Sequence, residues 1–286
     1  MKRFIKKGIY FSAAFILFYL LIAQLFVSNN PHFANKLFNQ SWLNTLMRIH
    51  DAESGNLSDT LFVGCSVADQ MIPYDGNKSL VTNGSTLPIG NYFLIKKALE
   101  NNPNITTVIY LTVPSVLGHP LARAHTYPYF VKPFYSNETE DFLSQYPGIM
   151  NILHRNPSLR WNKYNWFKLM AMDDFDYEPK REGSLDSLYT ASIHWVGNIK
   201  DLCEAQKVTF HLAAPPVAVS EKNSDRWQVI KKLTKSTSLE PLFDKYFSTM
   251  QYLDDSLRRD HIHWKDKYMD QHRRKLRWQT LKPLKR

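Results

Sequence analysis

The run Thr107-Val108-Ile109-Tyr110-Leu111-Thr112-Val113 constrains this chain more than any other stretch. β-branched and apolar residues fill both of its faces, the composition of a parallel strand covered on both sides by helices. Pro114 ends it. Shorter runs repeat the theme: Leu61 to Val63, Ser79 to Thr82 closed by the turn Asn83-Gly84-Ser85, and Val208 to Ala214 stopped by Pro215-Pro216. Helical stretches separate them. Ile89 to Asn101 stops at Asn101-Asn102-Pro103; Ser184 to Gln206 has Ser184 as its N-cap and Asp186 in its first turn; Asp225 to Thr234 and a basic helix after Trp264 follow. Strands alternating with helices predict βαβ units, hence an α/β chain with a central, mainly parallel sheet. Leu242 to Leu253 carries apolar residues without a decisive period. From Pro114 to Gly183 the alternation dissolves into Tyr, Phe, Trp, Pro and Asn, which predicts an insertion near the carboxyl ends of the strands. Its aromatics suit either sugar rings or a core.

A different logic governs the amino terminus. Ile9 to Val27 is nearly continuous apolar sequence, broken only by Ser12 and Gln24. As a helix it spans roughly 28 Å, enough to cross a hydrocarbon core. Lys2, Arg3, Lys6 and Lys7 precede it, so the positive-inside rule keeps the amino end cytoplasmic and the remainder outside. A cleaved signal peptide is the competing reading, but no clear Ala-x-Ala-like site follows. The expected organisation is a basic segment (1–8), a single-pass anchor (9–27), a membrane-proximal linker (28–58), a folded domain (59–270) and a basic tail (271–286). Within the linker, Trp42, Leu46, Met47 and Ile49 predict a short amphipathic helix near the membrane. The net charge of +10 sits mostly at the two ends, which fits contact with anionic lipid or an acidic glycan and disfavours nucleic acid. Cys65 and Cys203, without a CxxC pair or zinc spacing, read as two buried thiols rather than a disulfide.

Two stretches carry chemistry. The first is Gly64-Cys65-Ser66, a tight turn at the carboxyl end of the first strand, where ligands of parallel sheets gather. Ser66 is there either a nucleophile or simply the cap of the next helix. The second is Asp260-His261-Ile262-His263. A carboxylate three residues before a histidine can fold back to receive the imidazole Nδ1–H, leaving the other ring nitrogen for a nucleophile. The plainer reading has Asp260 hold the following helix, with His261 exposed. His261 and His263 share a metal only if the segment is extended. No cofactor or resident metal is expected.

Together these residues resemble the SGNH (GDSL-like) hydrolase and acyltransferase superfamily. Gly64 and Ser66 match its first block, Gly-Asp-Ser, with Cys65 in the aspartate position; Asp260 and His263 match its last block, Asp-x-x-His, in the same chain order. The resemblance covers roughly Thr60 to Trp264 and rests on these two motifs. It implies a three-layer, flavodoxin-like sandwich and a triad of Ser66, His263 and Asp260. The oxyanion hole would use the backbone N–H groups of Ser66 and Gly84, with Gly90 as the other candidate glycine. The family's third block, Gly-x-Asn-Asp, is missing: Pro114-Ser115-Val116-Leu117-Gly118 stands there. With an anchor in front, the chain looks like the membrane-bound SGNH-like proteins of bacterial envelope O-acylation. That likeness implies an extracytoplasmic serine esterase or O-acyltransferase, an envelope polysaccharide as substrate, and a multi-spanning membrane acyltransferase as partner. The alternative it leaves open is a non-catalytic SGNH-like protein that binds glycan or scaffolds such an acyltransferase.

Overall fold

The computed structural model describes residues 2–29, 41–72, 79–82, 87–119 and 185–281. Gly84 and its turn, the Ser184 cap, the aromatic stretch beyond residue 119 and the last five residues lie outside the described residues. Helix α1 (Lys2–Asn29) contains the window Arg3–Ile22, long and apolar enough to cross a membrane and unburied by the rest of the chain. Its length and composition suit a membrane anchor or a signal sequence.

The domain is α/β around a parallel sheet. Strands β1 (Thr60–Gly64), β2 (Thr107–Leu111) and β3 (Thr209–Ala213) lie side by side in that order. Thr60, Thr107 and Thr209 are level at one end and Gly64, Leu111 and Ala213 at the other. The predicted strand at 79–82 is shorter than expected, a parallel bridge between Ser79 and Phe62 on the free edge of β1. The Leu80 N–H donates to the Phe62 carbonyl (2.8 Å) and the Thr82 N–H to the Gly64 carbonyl (3.1 Å). The chain therefore leaves β1 toward one edge, then crosses through helix α4 (Pro88–Asn101) to β2 on the other side. Where connections diverge in this way, a crevice opens at the carboxyl ends of the two strands. Ser66 follows β1 at that end.

Helix α3 (Ser66–Met71) continues from β1, and α5 (Pro114–Leu117) from β2. Helix α6 (Leu185–Ala205) packs on α4, with the Trp195 ring 5.2 Å from Tyr92 and 6.0 Å from Phe93. Pro215 and Pro216 interrupt the sheet after β3, and a second pair of strands follows: β4 (Val217–Ala218) parallel to β5 (Tyr252–Leu253). Between them come α7 (Asp225–Thr234) and α8 (Glu240–Ser248). The stretch Leu242–Leu253 lacks one period because it is two elements. Its Phe243, Tyr246 and Phe247 form the buried face of α8, and its last two residues are β5. The Tyr246 hydroxyl donates to the Thr112 carbonyl (3.0 Å), tying α8 to the end of β2.

Helix α2 (Ser41–Glu53), in the segment expected as a membrane-proximal linker, packs on α4, with Ile49 and Ala52 fully buried. The join is polar as well as apolar. Buried Asn102 donates from Nδ2 to the Ala52 carbonyl (3.1 Å), and its Oδ1 accepts the Leu57 N–H (2.9 Å). The basic tail likewise begins inside helix α9 (Asp266–Leu281), where Leu276 is buried and the Arg277 guanidinium lies 5.2 Å from the centre of the Phe62 ring. Long basic side chains cover apolar surface with their stems while keeping the charge in water, so charge alone misjudges such a segment.

Candidate active site

Gly64 allows the turn that presents Ser66. A Cβ on Gly64 would fall 2.3 Å from the Leu111 carbonyl oxygen and 2.8 Å from the Ala68 Cβ, so any side chain would push β1 and β2 apart. After it, Cys65 is extended and takes the N-cap position of α3, and Ser66 is the first helical residue. Ser66 is therefore not the cap of this helix. The thiol and the hydroxyl of the turn separate cleanly. Cys65 is buried, and its burial pushes the thiol pKa up against the lowering effect of the Val67 and Ala68 N–H groups. An inert thiol results, since the thiolate is the reactive form. Ser66, partly exposed, directs its hydroxyl to His263: Oγ lies 2.7 Å from His263 Nε2.

The histidine sits in a loop that closes on itself. Arg258 bridges Trp264 across the loop, and the Arg259 N–H donates to the His263 carbonyl (2.8 Å). Asp260 organises the interior of the turn. Its Oδ1 accepts the Ile262 N–H (3.0 Å) and the His263 N–H (2.8 Å), while its carboxylate meets His263 Nδ1 at 2.9–3.0 Å. The carboxylate is spent on this loop and on the imidazole, not on capping α9. With Nδ1–H donated to Asp260, Nε2 is the acceptor and the Ser66 hydroxyl is the donor, the protonation pattern that general-base catalysis requires. His261 is exposed, and no cluster able to hold a metal exists among the described residues.

Partial desolvation raises the Asp260 pKa, but the Ile262 and His263 N–H groups and the His263 ring outweigh it and hold the carboxyl well below the usual range. Asp260 is thus an anion at neutral pH. The Asp260 side chain is 43% exposed against 20% for His263, so water screens the pair and its strength comes from geometry.

Residues that the sequence did not single out complete the site. Gln70, one helical turn after Ser66, bonds the Trp264 backbone twice: Oε1 accepts its N–H and Nε2 donates to its carbonyl, both at 3.1 Å. The Trp264 side chain is fully buried and its Nε1–H donates to the Pro216 carbonyl (3.1 Å). Arg273 in α9 donates to the carbonyl of Gln70 itself (2.8 Å). The signal available in sequence was spacing, since residues four apart share a helix face. A small depression adjoins the loop, lined by Val113, Ser115, Val217, Ile262 and Trp264, with the Glu221–Arg258 ion pair (3.5 Å) on its rim. Ser115 therefore faces the neighbourhood of the loop from the position of the missing Gly-x-Asn-Asp block, within α5. Of the two glycines expected to serve an oxyanion hole, Gly84 is outside the described residues and Gly90 is buried in the first turn of α4. No family model matches the chain, and no curated protein or solved structure matches it, so the residues themselves carry the functional reading.

Proposed function

We propose that the chain is a membrane-anchored serine esterase or O-acyltransferase of the SGNH type, acting on an envelope polysaccharide. The observation that carries the reading is the continuous relay from Ser66 Oγ through His263 to Asp260, drawn from two segments 197 residues apart. Ser66 Oγ attacks the acyl carbonyl and forms a C–O bond while His263 Nε2 takes the hydroxyl proton. Collapse of the tetrahedral intermediate breaks the bond to the leaving alkoxide, which receives that proton from His263. Water or a sugar hydroxyl, deprotonated by the same nitrogen, then attacks the acyl-serine; its C–O bond to Ser66 breaks and His263 returns the proton to Oγ. Asp260 keeps the imidazole in the working tautomer and stabilises the imidazolium. The N–H of Ser66 at the start of α3 is the donor assigned to the oxyanion, with Gly84 as the second.

The same reading takes the sheet and its helices as a three-layer sandwich and α1 as an uncleaved anchor with its amino end in the cytoplasm of a bacterium. The domain then lies outside the membrane, where a multi-spanning acyltransferase would hand it an acyl group. One observation favours a second reading, a glycan-binding or scaffolding protein without turnover: no asparagine occupies Pro114–Gly118, and a lost oxyanion donor of this kind costs about 3 kcal/mol. The full chain in detergent, incubated with a chromogenic acetyl ester, separates the two. Ester cleavage that Ser66→Ala abolishes supports the enzyme. Equal rates in the parent and Ser66→Ala would leave the scaffold.

A further inference from the structure

We infer that Gln70 is a positioning residue for the proposed base, clamping the backbone beside His263 to the helix that carries Ser66. The inference rests on the reading of Ser66 and His263 as nucleophile and base, and it concerns how their contact is maintained.

The geometry is specific. Ser66 and Gln70 stand four residues apart on α3, so their side chains leave the same face. Each reaches one of two consecutive residues: Ser66 touches the His263 ring, and Gln70 touches the Trp264 backbone. A primary amide suits this place because it presents one acceptor and one donor, matching the N–H and C=O of a single residue. Asp260 fixes the ring from the opposite side through Nδ1, but it sits within the same loop as His263 and moves with it. Asp260 orients the imidazole within the loop; Gln70 fixes where the loop lies relative to Ser66. The clamp is itself anchored. Arg273 holds the carbonyl of Gln70 at 2.8 Å, and the Trp264 indole is pinned to Pro216 in the core. Without the clamp, the loop keeps its internal turn, yet among the described residues the 2.7 Å contact between Oγ and Nε2 is the one hydrogen bond left between α3 and the loop. A displacement of about 1 Å between reacting groups can cost on the order of a hundredfold in rate.

Two substitutions separate positioning from packing. Gln70→Met keeps the length of the side chain and loses both bonds. Gln70→Glu keeps the acceptor for the Trp264 N–H, but when ionised it sets an oxygen against the Trp264 carbonyl; once protonated it can donate there again. The measurement is the second-order rate at which a fluorophosphonate probe labels Ser66 in the full chain in detergent, from pH 8 to pH 4, across the reference glutamate pKa of about 4.3, beside the parent at each pH. In that reaction the Oγ–P bond forms, fluoride leaves and His263 takes the proton. Gln70→Met is expected to be slower by roughly ten- to a hundredfold at every pH, a loss larger than any fall in its folded fraction accounts for. Gln70→Glu is expected to be slow at pH 8 and to recover toward the parent as the pH falls. Parent-like labelling of Gln70→Met would overturn the clamp, and so would a parent-normalised rate of Gln70→Glu that does not change with pH. If Gln70→Met fails to fold, the pH trend of Gln70→Glu decides. A parent chain that is never labelled at Ser66 overturns the nucleophile reading itself, an outcome visible without either variant.

Discussion

The two halves of the candidate site are held by different means. On the Ser66 side, position comes from the core: β1 is buried from Leu61 to Gly64, Gly64 lies against the Leu111 carbonyl, and Val67 and Ala68 are fully buried behind the serine. The Asp260–His263 side has little core of its own. It is an exposed loop shaped by a carboxylate that accepts two backbone N–H groups and an imidazole, and joined to the rest by Gln70 and the buried Trp264. A nucleophile set into packed sheet is expensive to move, whereas a base on a polar loop is easily displaced without unfolding anything. Damage should therefore divide along the same line, with changes near Gly64 read in stability and changes near Asp260 read in rate.

The largest effect belongs to the point where the halves meet. Ser66→Ala should lower ester turnover by at least about 10⁴-fold with little change in melting temperature, checked by steady-state rates and thermal melts of the full chain in detergent. Asp260→Ala tests the loop alone. Turnover should fall by about 10²- to 10⁴-fold while near-UV circular dichroism of the domain stays as in the parent; loss of the fold would erase the contrast. Gly64→Ala tests the core side. The added methyl meets the Leu111 carbonyl, and the expected cost is about 2–4 kcal/mol in urea unfolding, with loss of activity only in proportion to unfolded protein. Asn102→Ala, far from Ser66, should cost about 2–3 kcal/mol in the same assay, because it strands the Leu57 N–H and the Ala52 carbonyl.

The smallest effect is one of pH. The Asp260 carboxyl is held below its unfolded value, so the stability it supplies is complete above the unfolded pKa of about 4 and is lost as the pH falls through the folded one. The gap in melting temperature between the parent and Asp260→Asn should narrow as the pH falls below 4. A gap that closes between pH 5 and pH 7 would mean that another group controls the loop.

How much of this was legible in sequence follows from the range of each interaction. Thr107–Val113 announced a covered parallel strand because every residue in it is apolar or β-branched, and β2 lies there, central between β1 and β3. The pairing of Asp260 with His263 was legible because it spans three residues. Its contact with Ser66 was an inference from motif order, and no local pattern fixes a bond across 197 residues. Val217–Ala218 and Tyr252–Leu253 are too short to show a period, and what makes them strands is each other. Helix α2 was legible as a short amphipathic helix, but the burial of its Arg48, whose Nε donates to the Val81 carbonyl (2.6 Å), depends on a residue 33 positions away. Gln70 was half legible, through its spacing from Ser66. Its partner is a backbone, and backbones leave no signature in sequence.

The most direct test of the relay is to treat the full chain in detergent with a fluorophosphonate probe, digest it and map the adduct by mass spectrometry. One adduct is expected, on Ser66, present in the parent and gone in His263→Ala. An adduct on another residue, or labelling of Ser66 that His263→Ala leaves at full rate, would contradict a serine activated by His263.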